Sequence, residues 1–171
     1  MNITLRIFKA EDFETLYEID QACYEREVAY SQRELRAYLR FSGSDCLVAE
    51  TEANAEAETK AKTKAEPTDA LAPQNRIAGF CISARRDESG YIVTIDVLPE
   101  FRRHHVGSML LDEIERRLNA NGVREITLET ATDNDSAVAF WTKHGYRDRG
   151  IKKDYYPGGR DAFVMAKTLP H

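Results

Sequence analysis

Tyr91-Ile92-Val93-Thr94-Ile95-Asp96-Val97 alternates like a half-buried strand, and from Gly107 onward Leu110, Leu111, Ile114 and Leu118 fall on one helical face. Only Leu98-Pro99-Glu100-Phe101-Arg102-Arg103-His104-His105-Val106 separates the two. A strand that runs this directly into a helix belongs to an α/β layout. The junction points several backbone N–H groups and the positive helix end at one spot, which favours a bound anion, often a phosphate. Arg102 and Arg103 add charge, and Gly107 removes the side chain where the backbone must come close. Without a ligand, the same residues read as an ordinary strand-to-helix connection with surface arginines.

Strands and helices continue on both sides. Ile3-Thr4-Leu5-Arg6-Ile7 alternates in strand fashion, and a helix from about Ala10 carries Phe13, Leu16, Tyr17 and Asp20 at helical spacing. Ser31 followed by Glu34 reads as a capping box that opens a second helix with Leu35, Tyr38 and Leu39. Asp45 to Glu50 and Arg76 to Ala84 are buried strands. The helix from Gly107 stops at Asn121-Gly122, and a strand from Glu125 to Thr130 follows. Asp133 or Asn134 caps a helix through His144, ended by Gly145. Two last strands, near Tyr146 to Lys153 and Ala162 to Lys167, are joined by a loop, Tyr155-Tyr156-Pro157-Gly158-Gly159. The order gives a mixed α/β sheet of about seven strands.

At 171 residues, 42% hydrophobic and 31% charged, the chain fits one domain over 1–171 with a core of its own. The segment 51–75 stands apart: it is built from Ala, Glu, Lys and Thr, and Leu71 is its only large aliphatic. It cannot bury enough apolar area to fold alone, and reads as an insertion in a hairpin loop, disordered or partly helical. A net charge of −5 argues against a nucleic-acid partner and suits a positively charged substrate such as an amine, although it also serves solubility alone. Cys23, Cys46 and Cys81 are scattered as in core cysteines of a reducing compartment, and no Cys, His or carboxylate cluster has metal-ligand spacing. No apolar run reaches transmembrane length and no signal-peptide core is present, so the sequence reads as cytoplasmic, without a membrane partner, as a monomer or weak homodimer.

Several motifs resemble the GCN5-related N-acetyltransferase (GNAT) family. Its acetyl-CoA loop, Arg/Gln-x-x-Gly-x-Gly/Ala after a strand, is matched by Arg102-Arg103-His104-His105-Val106-Gly107. Leu128-Glu129-Thr130-Ala131-Thr132-Asp133-Asn134, Phe140-Trp141-Thr142-Lys143-His144-Gly145-Tyr146 and Lys153-Asp154-Tyr155-Tyr156-Pro157 resemble the protein N-terminal acetyltransferase branch, in particular the RimI-type ribosomal-protein alanine N-acetyltransferases. The resemblance implies a GNAT fold: a mixed, mostly antiparallel sheet of about seven strands flanked by about four helices. It implies acetyl-CoA as co-substrate and no metal. The pyrophosphate falls to Arg102, Arg103, His104, His105, Val106, Gly107 and Ser108, the pantetheine arm to the backbone of Ile95, Asp96 and Val97, with Asn134 and Trp141 further cofactor contacts. Asn134 is also a plain N-cap by its position, and can do both.

The implied reaction is direct attack of a neutral amine, most of all the α-amine of a protein or peptide N-terminus, on the acetyl thioester. Glu129 corresponds to the family's general base and Tyr91, one strand over, to a base partner, while Tyr30, Tyr155 and Tyr156 correspond to the walls of a peptide groove. Tyr30 reads equally as a hydrophobic staple. Two departures stand out. His105 replaces the loop's first glycine, and histidine is among the residues enriched at positive φ. Trp141 stands where the branch has an acid tyrosine, and an indole has no acidic proton to give; Tyr146, Tyr155 or Tyr156 are the candidate substitutes. A small-amine acetyltransferase and a non-catalytic acetyl-CoA-binding module are the competing readings, the first marked by turnover on small amines only, the second by tight cofactor binding without turnover.

Overall fold

The computed structural model describes residues 2–52 and 76–170. The order is β1 (Ile3–Ile7), a 3₁₀ turn (Ala10–Asp12), α1 (Phe13–Cys23), α2 (Gln32–Arg40), β2 (Ser44–Thr51), β3 (Arg76–Arg86), β4 (Ser89–Val97), a second 3₁₀ turn (Pro99–Phe101), α3 (Val106–Ala120), β5 (Glu125–Ala131), α4 (Asp135–Lys143), β6 (Arg147–Tyr156) and β7 (Arg160–Thr168). The sheet has seven strands in the order β1-β2-β3-β4-β5-β7-β6. This is the fold class expected from the sequence. Thr51 closes β2 and pairs with Arg76, so the chain leaves and re-enters the sheet at one hairpin end. The rest of the expected insertion, from residue 53 to 75, lies outside the described residues.

Local chemistry accounts for the element boundaries. Before α1 the chain first makes a 3₁₀ turn because Asp12 is anchored there: it accepts a two-pronged bond from Arg6 at 2.7 and 2.8 Å and the Lys9 N–H at 2.7 Å. The Arg6 guanidinium holds the Asp12 carboxyl below the usual carboxylate range. Ser31 caps α2 as the sequence predicts, accepting from the Glu34 N–H while Glu34 reaches back to the Ser31 N–H. One expectation is corrected. Tyr155 and Tyr156 are not in a loop but end β6, where Tyr156 pairs with Arg160. The strand reaches that far by an irregularity between Lys152 and Tyr156, with Asp154 in the left-handed region (φ 51°) and its N–H held by Asp161.

Apolar side chains divide between the two faces of the sheet. Leu110, Leu111, Ile114 and Leu118 of α3 pack with Ile92, Ile126, Leu128, Trp141 and Tyr146 on one face. Phe13, Leu16 and Ile19 of α1 and Leu35 of α2 pack with Val48, Phe80 and Ile82 on the other. Every pair of neighbouring strands is antiparallel except β4 and β5. Those two are parallel and pair only over Ser89–Tyr91 with Glu125–Thr127. β4 runs on to Val97 and β5 to Ala131 without partnering each other, and the register of β4 against β3 skips Val93. The bulge bends β4 away and the sheet opens into a wedge.

Ser31→Ala removes the side-chain half of the α2 capping box and is expected to lower stability by about 1 kcal/mol, read as the urea-unfolding midpoint at unchanged slope. An unmoved midpoint would mean that Leu35 packing alone sets this helix start.

Candidate active site

The wedge places two free strand edges opposite each other. Beyond Tyr91, β4 offers the backbone of Val93 to Val97 on the side away from β3, the kind of edge to which an extended ligand can add as a strand. Ile95 and Val97 turn their side chains into the α3-side core, whereas Thr94 and Asp96 point beneath α1. The end of the edge is fixed, because the Val97 carbonyl accepts from the Arg102 Nε at 3.0 Å and from the Cys23 thiol at 3.4 Å. Arg102, read from the sequence as an anion contact, thus folds back to tie the turn to its strand.

The turn beyond it is built to leave backbone donors free. Arg103 (φ 64°) and His105 (φ 62°) both lie in the left-handed region. His105 is the N-cap of α3 and gives no side-chain cap, and the first helical bond is Met109 N–H to the His105 carbonyl at 2.9 Å. The N–H groups of Val106, Gly107 and Ser108 therefore face outward at the positive end of a 15-residue helix. Arg103, His104 and His105 are exposed around them. α4 packs against this turn: a Cβ on Gly107 would sit 3.4 Å from the Phe140 ring, and His144 bridges the Phe140 carbonyl (2.8 Å) and the Ser108 hydroxyl (3.0 Å). His144, which the sequence suggested only as a helix end, is thus what joins the two helices here. Asn134 acts as the N-cap of α4, accepting from the Ala137 N–H and the Ser136 hydroxyl, both at 3.1 Å. Trp141 is 5% exposed and packs edge-on against Phe140 and Tyr146, inside the core.

On the α1–α2 side of the wedge stands a carboxylate. The Glu129 side chain is 8% exposed; one oxygen accepts from the Tyr91 hydroxyl and the other from the Lys152 ammonium. Burial and this bond raise the Tyr91 phenol far above its ordinary value, so it stays protonated and donates. The Lys152 ammonium is likewise raised by Glu129. Lys152 was missed in the sequence, where nothing marks it except a place two residues before Asp154. The aromatic walls come from both sides. Tyr30 donates to the Val93 carbonyl at 3.3 Å and packs edge-on against Tyr38, while Tyr155 packs on Tyr156, whose hydroxyl bonds the Glu129 carbonyl at 3.4 Å. Arg160 ties the rim together, bonding Asp133 at 3.0 and 3.1 Å and Glu25, in the loop after α1, at 3.3 Å.

Behind this wall lies a second acidic group. Asp96 is 1% exposed, accepts from the Thr94 hydroxyl at 2.7 Å, and has no partner on its other oxygen among the described residues. Asp20 is as deeply buried and accepts from the Tyr30 N–H at 2.9 Å, which fixes the loop that carries Tyr30. Burial pushes Asp96 up to about 7 and Asp20 up to about 6. Among the described residues no group of three or more His, Cys, Asp or Glu could hold a metal ion, and no helix is long and apolar enough to cross a membrane.

The model of the acetyltransferase (GNAT) family matches residues 13–146. The chain belongs to that family. It is an acetyl-CoA-dependent acyltransferase, and the wedge with the uncapped α3 terminus suits the extended arm and pyrophosphate of that co-substrate. A [ribosomal protein bS18]-alanine N-acetyltransferase of Salmonella typhimurium is 32% identical over 102 residues, which are 58% of this chain and 69% of that protein. The crystal structure of the ribosomal-protein-S18-alanine N-acetyltransferase from Escherichia coli superposes with a TM-score of 0.78 at 20% identity, covering 99% of this chain and 96% of that one. A NatC complex bound to Gag peptide and CoA superposes at 0.77 and 18% identity, over 99% of this chain and 100% of that one.

Two measurements test the GNAT site. His105→Gly relieves a left-handed residue that L side chains occupy at a cost of about 1 kcal/mol, and is expected to keep or tighten acetyl-CoA binding in a calorimetric titration. A large loss of affinity would make the imidazole itself a ligand contact. Asp96 and Asp20 bind protons more tightly folded than unfolded, so the stability they contribute is full below about pH 4 and is lost as pH rises through about 6 to 7. Asp96→Asn removes the larger part of this. Its stability relative to wild type is expected to improve from about pH 5 to about pH 8 in denaturant titrations. A constant difference would mean that Asp96 ionises alike in both states.

Proposed function

We propose that this acetyltransferase acts on the α-amine of a protein or peptide N-terminus, with Glu129 as general base. The observation that carries the reading is the position of the Glu129 carboxylate, nearly withdrawn from water at the mouth of the β4–β5 wedge, between the Tyr30–Tyr38 and Tyr155–Tyr156 pairs. Aromatic side chains gathered around the carboxylate suit an extended chain end better than a bulky or branched amine. The relatives named for alanine N-acetylation of a ribosomal protein, and the fold shared with a complex holding peptide and CoA, support the same substrate class.

The chemistry follows from proton affinities. An α-ammonium has a pKa of about 8 and a lysine about 10.4, so near neutrality a sizeable minority of the first is already neutral, against about one part in a thousand or less of the second. Glu129 takes the proton, directly or through a water, and Tyr91 orients the carboxylate by donating to it. The neutral nitrogen attacks the thioester carbon, forming the C–N bond, and the surplus proton this leaves on the nitrogen passes to solvent or to the departing sulfur. A backbone N–H at the end of β4 stabilises the oxyanion, and the C–S bond then breaks to release CoA as a thiolate. A thiolate of pKa about 8.5 leaves without a strong acid, in keeping with an indole at position 141. Tyr146, buried in the core against Trp141, is out of consideration as a proton donor.

The test is CoA-thiol release from acetyl-CoA with short peptides bearing free or blocked N-termini, some containing lysine. Release that needs a free α-amine, falling about 10²–10⁴-fold in Glu129→Gln with acetyl-CoA affinity nearly intact, is the expected result. Release with small amines or lysine alone would move the enzyme to a small-amine or lysine substrate. Acetyl-CoA binding with no release on any amine would make it a binding module.

A further inference from the structure

Glu129 holds one partner on each oxygen, which still leaves its carboxylate a lone pair for a proton. Tyr91 occupies one oxygen from β4; Lys152, half exposed on β6, occupies the other and also lies 5.3 Å from the centre of the Tyr155 ring. Lys152 therefore touches the carboxylate and the aromatic wall at once. Its approach is not forced by burial, since half of the side chain faces solvent and could extend there. The ammonium is held by the carboxylate itself.

We propose that Lys152 is a positioning residue for the acetyl transfer: its ammonium holds the Glu129 carboxylate aimed, and repels an acceptor amine that is still protonated. The proposal rests on the reading of Glu129 as base. A positive charge beside the base disfavours a second one there, so Lys152 favours the acceptor amine's neutral form, the only one that can attack, and pushes the working protonation state of that amine toward lower pH. The other groups facing Glu129 cannot replace it. Tyr91 from β4, Tyr38 from α2 and Tyr155 and Tyr156 from β6 are phenols, with Tyr156 pushed up to about 12, and Val164 pairs with Glu129 from β7 without charge. Among them Lys152 is the one cation.

The decisive readout is the pH profile of kcat at saturating peptide and acetyl-CoA, for wild type, Lys152→Met, Lys152→Arg and Glu129→Gln, with thermal melting and acetyl-CoA titration as folding controls. Methionine keeps the aliphatic stem and removes only the charge. In Lys152→Met the acid limb is expected to move up by about one pH unit, a modest shift because the ammonium is half solvated, while Lys152→Arg keeps the wild-type limb. An unmoved limb in Lys152→Met, with Glu129→Gln crippled, overturns the role of Lys152 and leaves the base standing. A limb that moves equally in Lys152→Arg overturns charge as the cause. A Glu129→Gln enzyme with wild-type turnover and limb overturns the base reading, and the role of Lys152 falls with it.

Discussion

Parallel pairing between β4 and β5 stops at Tyr91 and Thr127, and everything that makes this sheet a site follows from that stop. A sheet that stayed closed would satisfy its own backbone groups and offer no edge. Here the skipped residue Val93 turns β4 out of register with β3, and the strand leaves β5 just where its backbone groups become useful. The bulge is held from the far side, since the Tyr30 hydroxyl donates to the Val93 carbonyl and the Tyr30 N–H is itself held by Asp20. α1, the loop after it and the β4 bulge thus form one mechanical unit. Asp20 sits at its centre at the expense of a buried carboxyl.

The second dependence is at the start of α3. Leaving a helix terminus uncapped and placing Arg103 and His105 at positive φ both cost stability, about 1 kcal/mol or more for each strained residue. The fold offsets that cost by clamping the turn from both ends: Arg102 and Cys23 on the Val97 carbonyl before it, Phe140 and His144 on Gly107 and Ser108 after it. The donors are kept free while the backbone that presents them is rigid, the arrangement an anion site requires.

Much of this was readable in the sequence, and for identifiable reasons. Strands with period two, the Ser31–Glu34 box and the Asn121-Gly122 stop are local signals, and each produced the element expected of it. Positive φ at His105 followed from the motif, because a glycine position filled by histidine still has to turn the same way. Tyr155 and Tyr156 were misplaced because Pro157-Gly158-Gly159 is a strong turn signal next to them, and only pairing across to Arg160 shows that β6 persists. Lys152 and His144 escaped notice because both act through partners distant in sequence: Glu129 lies 23 residues away and Ser108 lies 36. No periodicity records such a contact.

Position 141 and the choice of acceptor bear on each other. With tryptophan packed in the core, the phenols near the wedge include Tyr30, Tyr38, Tyr91, Tyr155 and Tyr156, and burial drives Tyr30, Tyr38, Tyr91 and Tyr156 above their ordinary range. A phenol at about 12 gives its proton to a thiolate of about 8.5 only uphill, so none of those four is a good acid for the departing sulfur. The acid is dispensable when the acceptor is an α-amine, because its proton affinity (pKa about 8) nearly equals that of the thiolate it displaces, and solvent can complete the exchange. A lysine acceptor would begin about two units further from its reactive form and ask more of a site that has one carboxylate to give. An N-terminal substrate and a tryptophan at position 141 are therefore consistent with each other, because an α-amine and the thiolate it displaces hold a proton almost equally well.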